Sequence, residues 1–526
     1  MRGRIAGAYP LMIVVMLLTA SRALPAQSKP ALTVRHAASF AVSPPLRDLV
    51  KPELLPSMRW SSPGSSSNFS VGLNFLGLGE GFPNFSPSNP TPDPNLAVGA
   101  TQVVEWVDPA YAVFDKSSGE LEAGPILGST LWSALSGTKC ADASAGLNLI
   151  VQWDKSDQRW VLAENTIGSA PYYTCIAVST SSDAMGSYYE YIFPQASSIW
   201  DAPKWGVWSN GYYQTEGEYS TSAYLGPELC AYESAKLVVG DGSAVQICFQ
   251  LSPADGHPLP ADVDSMVQPP ANEDEFFMSL WDSSHLSLYS LHPDYQNPQD
   301  STITGNDGSQ LFAVPAFTPA CDGLYAGNCV PQEGVSAELE VLGDRLSYRL
   351  AYWEDTPLAN VLATPPRPIP SQHWYVLHDS TAAAGNEAPR WYEFTAPIRA
   401  VPVTDISLFQ SGTFAPDANY RWNGSIARDK KYDILLGYNE SSASIYPAIA
   451  ITGRTLNDPL GTMENEVTVM EGNGSQTAPS GSWGNYSSMR IDDDGCTFWY
   501  TNEYYLETGD FTWSTQLASA RFAGCQ

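Results

Sequence analysis

The chain has 526 residues, of which 56 are acidic and 26 are lysine or arginine, so its formal net charge is −30 at pH 7. Such an acidic surface argues against nucleic acid and anionic lipid as partners, because both are polyanions. Gly and Pro each number 41, and short runs rich in Val, Ile, Tyr and Trp recur between Gly, Asp, Asn and Pro. This pattern predicts an all-β protein.

The N-terminus has the layout of a secretory signal peptide. Arg2 and Arg4 precede an apolar run at 11–18, and a small-x-small pattern follows at 21–23. The run is shorter than the about 20 residues that cross a bilayer. We therefore predict a signal peptide at 1–23 and export to the extracellular space or the periplasm, with no membrane anchor. Cleavage there removes three arginines and no acids, which makes the net charge −33.

Residues 24–92 are predicted to be an irregular N-terminal segment or linker. The stretches "SSPGSSSNFS" (61–70) and "PNFSPSNPTPDPN" (83–95) are rich in Ser, Pro, Gly and Asn. Regular structure is expected from about Asn95, so that one β domain occupies 93–526.

A repeated frame runs through this domain. "SIARDKKYDILLGYNE" (425–440) and "SMRIDDDGCTFWYTNE" (488–503) each show a short strand, an Asp, a turn and a second apolar strand, with a polar residue ten places after the Asp. With looser copies, the frames end at 108, 164, 218, 292, 354, 439 and 502, which are 54 to 85 apart. Seven such units predict a seven-bladed β-propeller, with each frame as the two inner strands of a blade. A pair of β-sandwiches is the alternative, because the period is irregular.

The cysteines predict a disulfide-stapled fold. All eight follow the signal peptide, and an even number in an exported chain indicates disulfides. No Cys-x-x-Cys spacing occurs, which argues against a zinc cage. Pairing of neighbours in sequence gives Cys140 with Cys175, Cys230 with Cys248, Cys321 with Cys329, and Cys496 with Cys525.

Hairpin geometry divides each frame between two faces. In an antiparallel pair, the start of the first strand and the end of the second lie at one edge, and the turn lies at the other. The "DDDG" turn (492–495) is therefore predicted on one face, and Asn502 and Glu503 on the opposite face with the loops that lead into the first strands. Converging loops on a rigid scaffold often form binding sites.

The candidate site at that face combines acids, amides, basic groups and aromatic rings, which suits carbohydrate. The predicted catalytic residues are Glu503, Glu440, Asp201 and Glu218. The predicted substrate-binding residues are Asp93, Asn95, Lys204, Trp205, Arg421, Trp422, Asn439, Asn485 and Asn502. His292 and Glu354 end two further frames and are predicted on the same face. The alternative is that these polar residues simply bond exposed loop backbone.

These residues predict a secreted carbohydrate-active enzyme, a polysaccharide hydrolase or lyase, whose partner is an extracellular polysaccharide or other glycan. One alternative is a non-catalytic carbohydrate-binding, protein-binding or adhesion module. Another is a sialidase-like exo-glycosidase, which needs an arginine cluster where only Arg421 is well placed. No cofactor is expected. The "DDDG" stretch lacks the ligand spacing of a helix-loop-helix calcium site, although a structural calcium ion between loops stays open.

Several stretches resemble a group of large exported bacterial proteins, most of which have no assigned activity. They are "PDPNLAVG" (92–99), "PKWGVWSNGYY" (203–213), "RWNGSIARDKKYDILLGYNESS" (421–442) and "WGNYSSMRIDDDGCTFWYTNEYY" (483–505). The resemblance covers most of 90–526 and implies export and a propeller-like β fold, but no settled chemistry. The position of Asn485 is commonly Asp in that group, so an acid or metal-ligand role there would be altered in this chain.

Overall fold

Short β-strands make up most of the chain, as its Val-, Ile- and aromatic-rich runs predict. The computed structural model describes residues 30–50, 67–142, 146–195, 199–220, 223–323, 327–355, 371–398 and 405–525. The predicted signal peptide at 1–23 lies outside the described residues.

The strands are numbered in chain order. The first half contains β1 (Ala31–His36), β2 (Ser39–Val42), β3 (Phe69–Gly79), β4 (Asn95–Val98), β5 (Gln102–Val107), β6 (Ala110–Asp115), β7 (Leu121–Leu127), β8 (Gly146–Asp154), β9 (Arg159–Thr166), β10 (Tyr173–Ser179), β11 (Tyr188–Pro194), β12 (Ile199–Trp208), β13 (Gly211–Tyr219), β14 (Tyr224–Tyr232), β15 (Val245–Gln250), β16 (Leu259–Val263), β17 (Glu275–Asp282) and β18 (His285–His292).

The second half contains β19 (Thr302–Thr304), β20 (Leu311–Ala313), β21 (Thr318–Pro319), β22 (Gly327–Val330), β23 (Leu339–Val341), β24 (Leu350–Glu354), β25 (Ser371–Thr381), β26 (Glu387–Pro397), β27 (Ser407–Thr413), β28 (Tyr420–Arg428), β29 (Ile434–Ser442), β30 (Ile445–Arg454), β31 (Val467–Met470), β32 (Ser488–Ile491), β33 (Thr497–Tyr505) and β34 (Trp513–Phe522). The helical segments are short: α1 (Leu46–Leu49), α2 (Ser234–Leu237) and the 3₁₀ segments Gly128–Leu135, Pro253–Asp255, Pro298–Asp300 and Ala320–Gly323.

Within the described ranges, most strands divide into seven antiparallel units, while β22 and β23 form a separate pair and β21 pairs with β25. Units 1, 2 and 3 are β4–β7, β8–β11 and β12–β15, and β2 and β1 add an outer strand to units 2 and 3. Unit 4 is β16–β18 with β19 and β20 both paired to β18, and units 5 and 6 are β24–β27 and β28–β31. Unit 7 is β32–β34 completed by β3 from the N-terminal part. Unit 7 is therefore completed by a strand that is remote in sequence.

The units follow one another around a common axis. The first strands β4, β8, β12 and β16 contact one another in order, and β16 pairs in parallel with β24 of unit 5. Unit 5 contacts β28, β28 contacts β32, and β32 returns to β4. We call the edge where the first strands begin the rim. The opposite edge, which carries the turns between first and second strands, is the turn face.

Five of the predicted frames are the inner strand pairs of units, namely those ending at 108, 164, 218, 439 and 502. Two frames are wrong. His292 ends the third strand of unit 4, and Glu354 ends the first strand of unit 5. Both residues therefore lie on the turn face and not on the rim. The cause is that any hairpin repeats the same alternation, so the pattern does not reveal which strands of a sheet it joins.

The N-terminal segment is more regular than the prediction of an irregular linker. β1, β2 and β3 are edge strands, paired with β15, β11 and β34 respectively. The Ser-, Pro- and Gly-rich stretches around them hide this, because an edge strand gains its order from the neighbour to which it bonds.

Buried ion pairs occupy the axis. Arg349, just before β24, donates to Asp262 Oδ2 at 2.9 Å and to both Asp264 oxygens at 2.7 Å. Arg490 of unit 7 also bonds Asp262, together with the carbonyl oxygen of Leu96 in unit 1 at 3.2 Å. Burial alone would raise the pKa of Asp262, but the two arginines outweigh it and lower that pKa. Units 1, 4, 5 and 7 are thus tied by one charge network.

All four predicted disulfides are present: Cys140–Cys175, Cys230–Cys248, Cys321–Cys329 and Cys496–Cys525. The last one joins the start of β33 to the residues after β34, so it holds the chain end to unit 7.

We predict that Arg349→Met lowers the free energy of unfolding by about 3–5 kcal/mol, because it leaves Asp262 and Asp264 buried with less compensating charge. The control is Arg47→Met, which breaks an exposed ion pair with Asp183 and should cost at most about 1 kcal/mol. Urea unfolding followed by tryptophan fluorescence measures both. Equal losses of unfolding free energy in Arg349→Met and Arg47→Met would contradict a greater contribution from the buried ion pairs on the axis.

We also predict that Cys496→Ser/Cys525→Ser costs about 3–4 kcal/mol of stability, since the bridge closes a separation of 29 residues. Removal of Cys321–Cys329, which closes 8 residues, should cost about 2–3 kcal/mol on the same chain-entropy argument. Urea midpoints of the two double variants test this order, and the reverse order would contradict it.

Candidate functional site

Four of the predicted site residues meet at the rim near the axis, and we call Asp93, Asp201, Lys204 and Asn485 the central cluster. Asp93 precedes β4, Asp201 and Lys204 belong to β12, and Asn485 precedes β32. Asp93 Oδ1 accepts hydrogen bonds from the Asn485 backbone N at 2.6 Å and from its Nδ2 at 3.3 Å. Lys204 Nζ donates to the carbonyl oxygen of Asn485 at 3.2 Å. Three separate parts of the chain therefore build one polar group.

Aromatic rings enclose the amine of Lys204. Its Nζ lies 3.1 Å from the centroid of the Tyr486 ring and 5.6 Å from that of Tyr348. The residue is 7% exposed, and Tyr486 is itself fixed by donating its hydroxyl to the carbonyl oxygen of Pro203 at 2.6 Å. Ring faces attract the ammonium form, but they replace little of the water that burial removes.

Burial shifts the two charged groups of this cluster in opposite directions. It lowers the pKa of Lys204 well below its ordinary value, although Asp93 opposes the shift. It raises the pKa of Asp93, although the hydrogen bond from the Asn485 backbone opposes that shift. Asp201 acts electrostatically on both groups. The proton affinities of a carboxyl and an amine are thereby brought closer together, which is typical of acid–base sites.

A second polar group beside the cluster was missed by the sequence argument. Arg345 donates to Asp344 Oδ1 at 2.8 Å, and its Nη2 lies 3.1 Å from His257 Nε2. Burial, with help from Arg345, lowers the pKa of His257 to about 3. Arg345 also acts on Lys204 and lowers its pKa. Neither His257 nor Arg345 stands in a recognisable spacing in the sequence.

The space beside Lys204 is small in this structure. A cavity of about 20 Å³ is lined by Lys204, Glu340, Arg345, Trp422, Asn485 and neighbouring residues. This volume holds about one water molecule and no sugar ring. The residues from β23 to β24 supply much of the lining, so this connection covers the rim end of the axis.

Glu503, the first predicted catalytic residue, is fully buried. Its Oε1 accepts a hydrogen bond from the Gly484 backbone N at 2.6 Å, and burial raises its pKa well above the ordinary value. The side chain therefore holds the loop before β32 in place and does not face an open site. The frame placed it on the correct edge but could not show that the loop would cover it.

Glu440 and Arg421 form a separate charge group in unit 6. Arg421 Nη2 donates to Glu440 Oε1 at 2.9 Å and to Glu466 Oε1 at 2.6 Å, and Nη1 donates to Asp417 Oδ1 at 2.8 Å. The three carboxylates are close enough to hold a cation, but the guanidinium already lies among them. Arg421 is buried and engaged by these acids, so it does not offer its charge to a substrate.

Other predicted binding residues tie units together. Asn95 Oδ1 accepts from the Val151 backbone N at 2.9 Å, and Asn439 Nδ2 donates to the carbonyl oxygen of Glu503 at 2.7 Å. Asn502 bonds Tyr500 and the backbone of Asn423. The rings of Trp205 and Trp422 are buried, so neither is exposed to stack on a sugar. These five residues are buried, and their contacts lie within the protein and not at an open site.

Glu218 is the remaining predicted catalytic residue. It is partly exposed at the end of β13, where it pairs in register with Gly226 of β14. It acts electrostatically on Glu216 and Glu228. In the strand register it lies opposite Trp200, next to Asp201 of the central cluster.

Comparison with known proteins leaves the identity open. No protein-family model and no curated protein matches the chain. A crystal structure of a protein of unknown function from Dyadobacter fermentans is similar at 10% identity and a TM-score of 0.30, with 72% of this chain and 95% of that chain covered. An endo-arabinase from Bacteroides thetaiotaomicron is similar at 9% and 0.26, with 61% and 92% covered. The Hadza microbial sialidase Hz136 is similar at 10% and 0.31, with 82% and 75% covered. Similarities this weak decide neither the blade number nor the activity.

Among the described residues, no helix is long and apolar enough to span a bilayer.

The many buried acids predict that stability falls as the pH rises. Burial raises the pKa of Asp108, Glu164 and Glu216 to about 8. In the unfolded chain such groups ionise at about pH 4, so between about pH 4 and 8 the unfolded state releases protons that the folded state retains. The urea midpoint should therefore be higher at pH 5 than at pH 8.

Glu164→Gln should reduce this difference, because its carboxyl is buried and one oxygen has no hydrogen-bond partner among the described residues. The matched control is Glu120→Gln, an exposed position that should leave the difference unchanged. A midpoint that rises towards pH 8 in the unaltered protein would contradict the prediction.

Proposed function

We infer that this chain is an exported, seven-bladed β-propeller that binds and processes an extracellular polysaccharide at the central cluster. The observation that carries the inference is the buried Lys204 beside Asp93 and Asn485, at the rim end of the axis. It is the place where loops from separate units converge and where proton affinities are shifted in opposite directions.

Two features support the fold and the location. Seven units and the contacts of their first strands around one axis fit a propeller, and the return of β32 to β4 fits closure of the ring. Four disulfides fit an oxidising compartment outside the cytosol. The resemblance of the motifs to large exported bacterial proteins is consistent with both.

The chemistry open to the cluster is proton transfer to or from a sugar. A carboxyl whose pKa is raised, as in Asp93, can protonate the oxygen of a leaving sugar. Asp201 supplies a second carboxyl beside it. Lys204 in its neutral form can instead accept a proton, as elimination from an acidic sugar requires. Hydrolysis and elimination therefore both stay within the proposal, with these three residues as the reacting groups.

A non-catalytic binding module is the second candidate, and the small cavity favours it. A space for about one water molecule does not admit a sugar ring beside Lys204 unless the residues that cover it move. The sialidase-like alternative is disfavoured, because Arg421 is bound by three carboxylates.

We predict that Lys204→Met and Asp201→Asn each reduce product release from a reactive polysaccharide by roughly 100-fold or more, as expected for loss of a proton-transfer group. The measurement is a panel of polysaccharides incubated with the mature protein, with reducing ends and mass spectra recorded. Ultraviolet absorbance of unsaturated sugars then separates elimination from hydrolysis.

The matched control is Lys236→Met. Lys236 forms a surface ion pair with Glu233, so this variant should retain activity. Retained binding of a glycan without product would favour the binding module. Full activity in Lys204→Met would remove the central cluster from the mechanism.

A further inference from the structure

A cavity lined by residues of four units lies on the turn face, opposite the central cluster. Its volume is about 390 Å³, which lies within the range of sites for small ligands. Units 4 to 7 each contribute the residues that follow or end their first strand: Ser265–Val267, Trp353–Asp355, Arg428 with Lys430 and Lys431, and Asp494 with Gly495. We call this space the turn-face cavity.

A fixed arginine forms part of its lining. Arg428 is buried, and its guanidinium carbon lies 4.6 Å from the Trp353 ring centroid and 4.0 Å from that of Tyr432. Its Nη2 donates to Asp355 Oδ1 at 2.6 Å, and Asp355 also bonds His373 at 2.8 Å. The arginine and its aromatic neighbours are therefore rigid before any ligand arrives.

The acids in the lining are engaged by other groups. Asp355 is bound by Arg428 and His373, and these outweigh burial and lower its pKa. Asp494 accepts hydrogen bonds from the backbone of Cys496 at 2.7 Å and of Thr497 at 2.8 Å. Burial raises the pKa of Glu354 to about 7, so near neutral pH this carboxyl is partly protonated. Asp494 also pairs with Arg521 at 3.4 Å, so both Asp355 and Asp494 already have an arginine partner.

The lysines in the lining are different. Lys430 and Lys431 are exposed, and no ion pair within the described ranges joins either one to a carboxylate. Lys430 Nζ donates to the carbonyl oxygen of Asp494 at 3.1 Å, which positions it beside the cavity without neutralising it. In a chain of net charge −30, two adjacent lysines without acid partners are a local excess of positive charge.

Apolar groups complete the cavity. Met266 is 55% exposed, and Val267 and Trp353 line the space beside it. The lining therefore suits a ligand that has an anionic group and a ring with apolar faces. The volume fits one or two sugar rings.

We propose that the turn-face cavity binds a carboxylate-bearing sugar unit of an acidic polysaccharide, with Lys430 and Lys431 holding the carboxylate and Met266, Val267 and Trp353 contacting the ring. The anionic group follows from the cavity itself, whereas the choice of a sugar as its body rests on the proposed function. Binding here retains the polymer while the opposite end of the axis acts on it.

The test measures binding of oligogalacturonate to the mature protein by calorimetry, with its methyl-esterified form as the uncharged probe and benzoate as a non-sugar carboxylate. We expect the unaltered protein to bind oligogalacturonate at least tenfold more tightly than the ester. Lys430→Ala/Lys431→Ala should weaken this binding roughly tenfold and reduce its salt dependence, since each exposed charge contact contributes about 0.2–1 kcal/mol. Met266→Glu, at an exposed position, should weaken it as well.

The charge-matched control is Lys139→Ala/Lys236→Ala, which removes two lysines remote from the cavity and should leave binding unchanged. Equal weakening by the control would show a general charge effect and overturn the site. Equal binding of the ester, or no binding of either oligosaccharide, would also overturn the site. Binding of benzoate alone would show that the cavity takes a simple aromatic carboxylate and not a sugar. Lys430→Ala/Lys431→Ala tests this site by binding, whereas Lys204→Met tests the central cluster by product release, so failure of the two sites is distinguishable.

Discussion

The buried charge network on the axis is the constraint on which the rest of the structure depends. Asp262 belongs to unit 4, but its two arginines come from just before the first strand of unit 5 and from unit 7. An acid buried without such partners would cost several kcal/mol. The buried charge of Asp262 is therefore balanced when units 5 and 7 also pack against unit 4. Packing of the units around the axis thus contributes to stability through these ion pairs as well as through contacts between sheets.

The same need for satisfied polar groups decides which rim residues remain available for function. Asn95 begins the first strand of unit 1 and Asn439 lies in the second strand of unit 6, and each amide hydrogen-bonds to the neighbouring unit. Glu503 accepts a hydrogen bond from the backbone of Gly484 in the loop before β32. Because a buried polar group must be hydrogen-bonded, the polar side chains at these rim positions bond to neighbouring units and are not available to a ligand. The central cluster differs in that its partners are loop residues outside the repeated frame.

The repeated hairpins, the disulfides and several rim positions could be predicted from the sequence. Strand pairing and burial between distant segments could not, because a local pattern carries no long-range information. The frames ending at 164 and 502 are hairpins of first and second strands as predicted, because alternation and turn residues are local signals. The frames ending at His292 and Glu354 join the wrong strands, since the parallel pairing of β16 with β24 joins residues far apart in sequence. Likewise, the burial of Glu503 and the approach of Arg345 to Lys204 depend on covering segments that no spacing in the sequence reveals.

The distribution of positive charge gives the two ends of the axis different characters. With 26 basic residues against 56 acidic ones, nearly every buried cation can find an acid, as Arg349, Arg428 and Arg490 do. Lys204 is buried among aromatic rings and a carbonyl oxygen, where desolvation favours its neutral form. Lys430 and Lys431 are exposed beside the turn-face cavity. One end of the axis is thus suited to moving a proton, and the other to holding an anion.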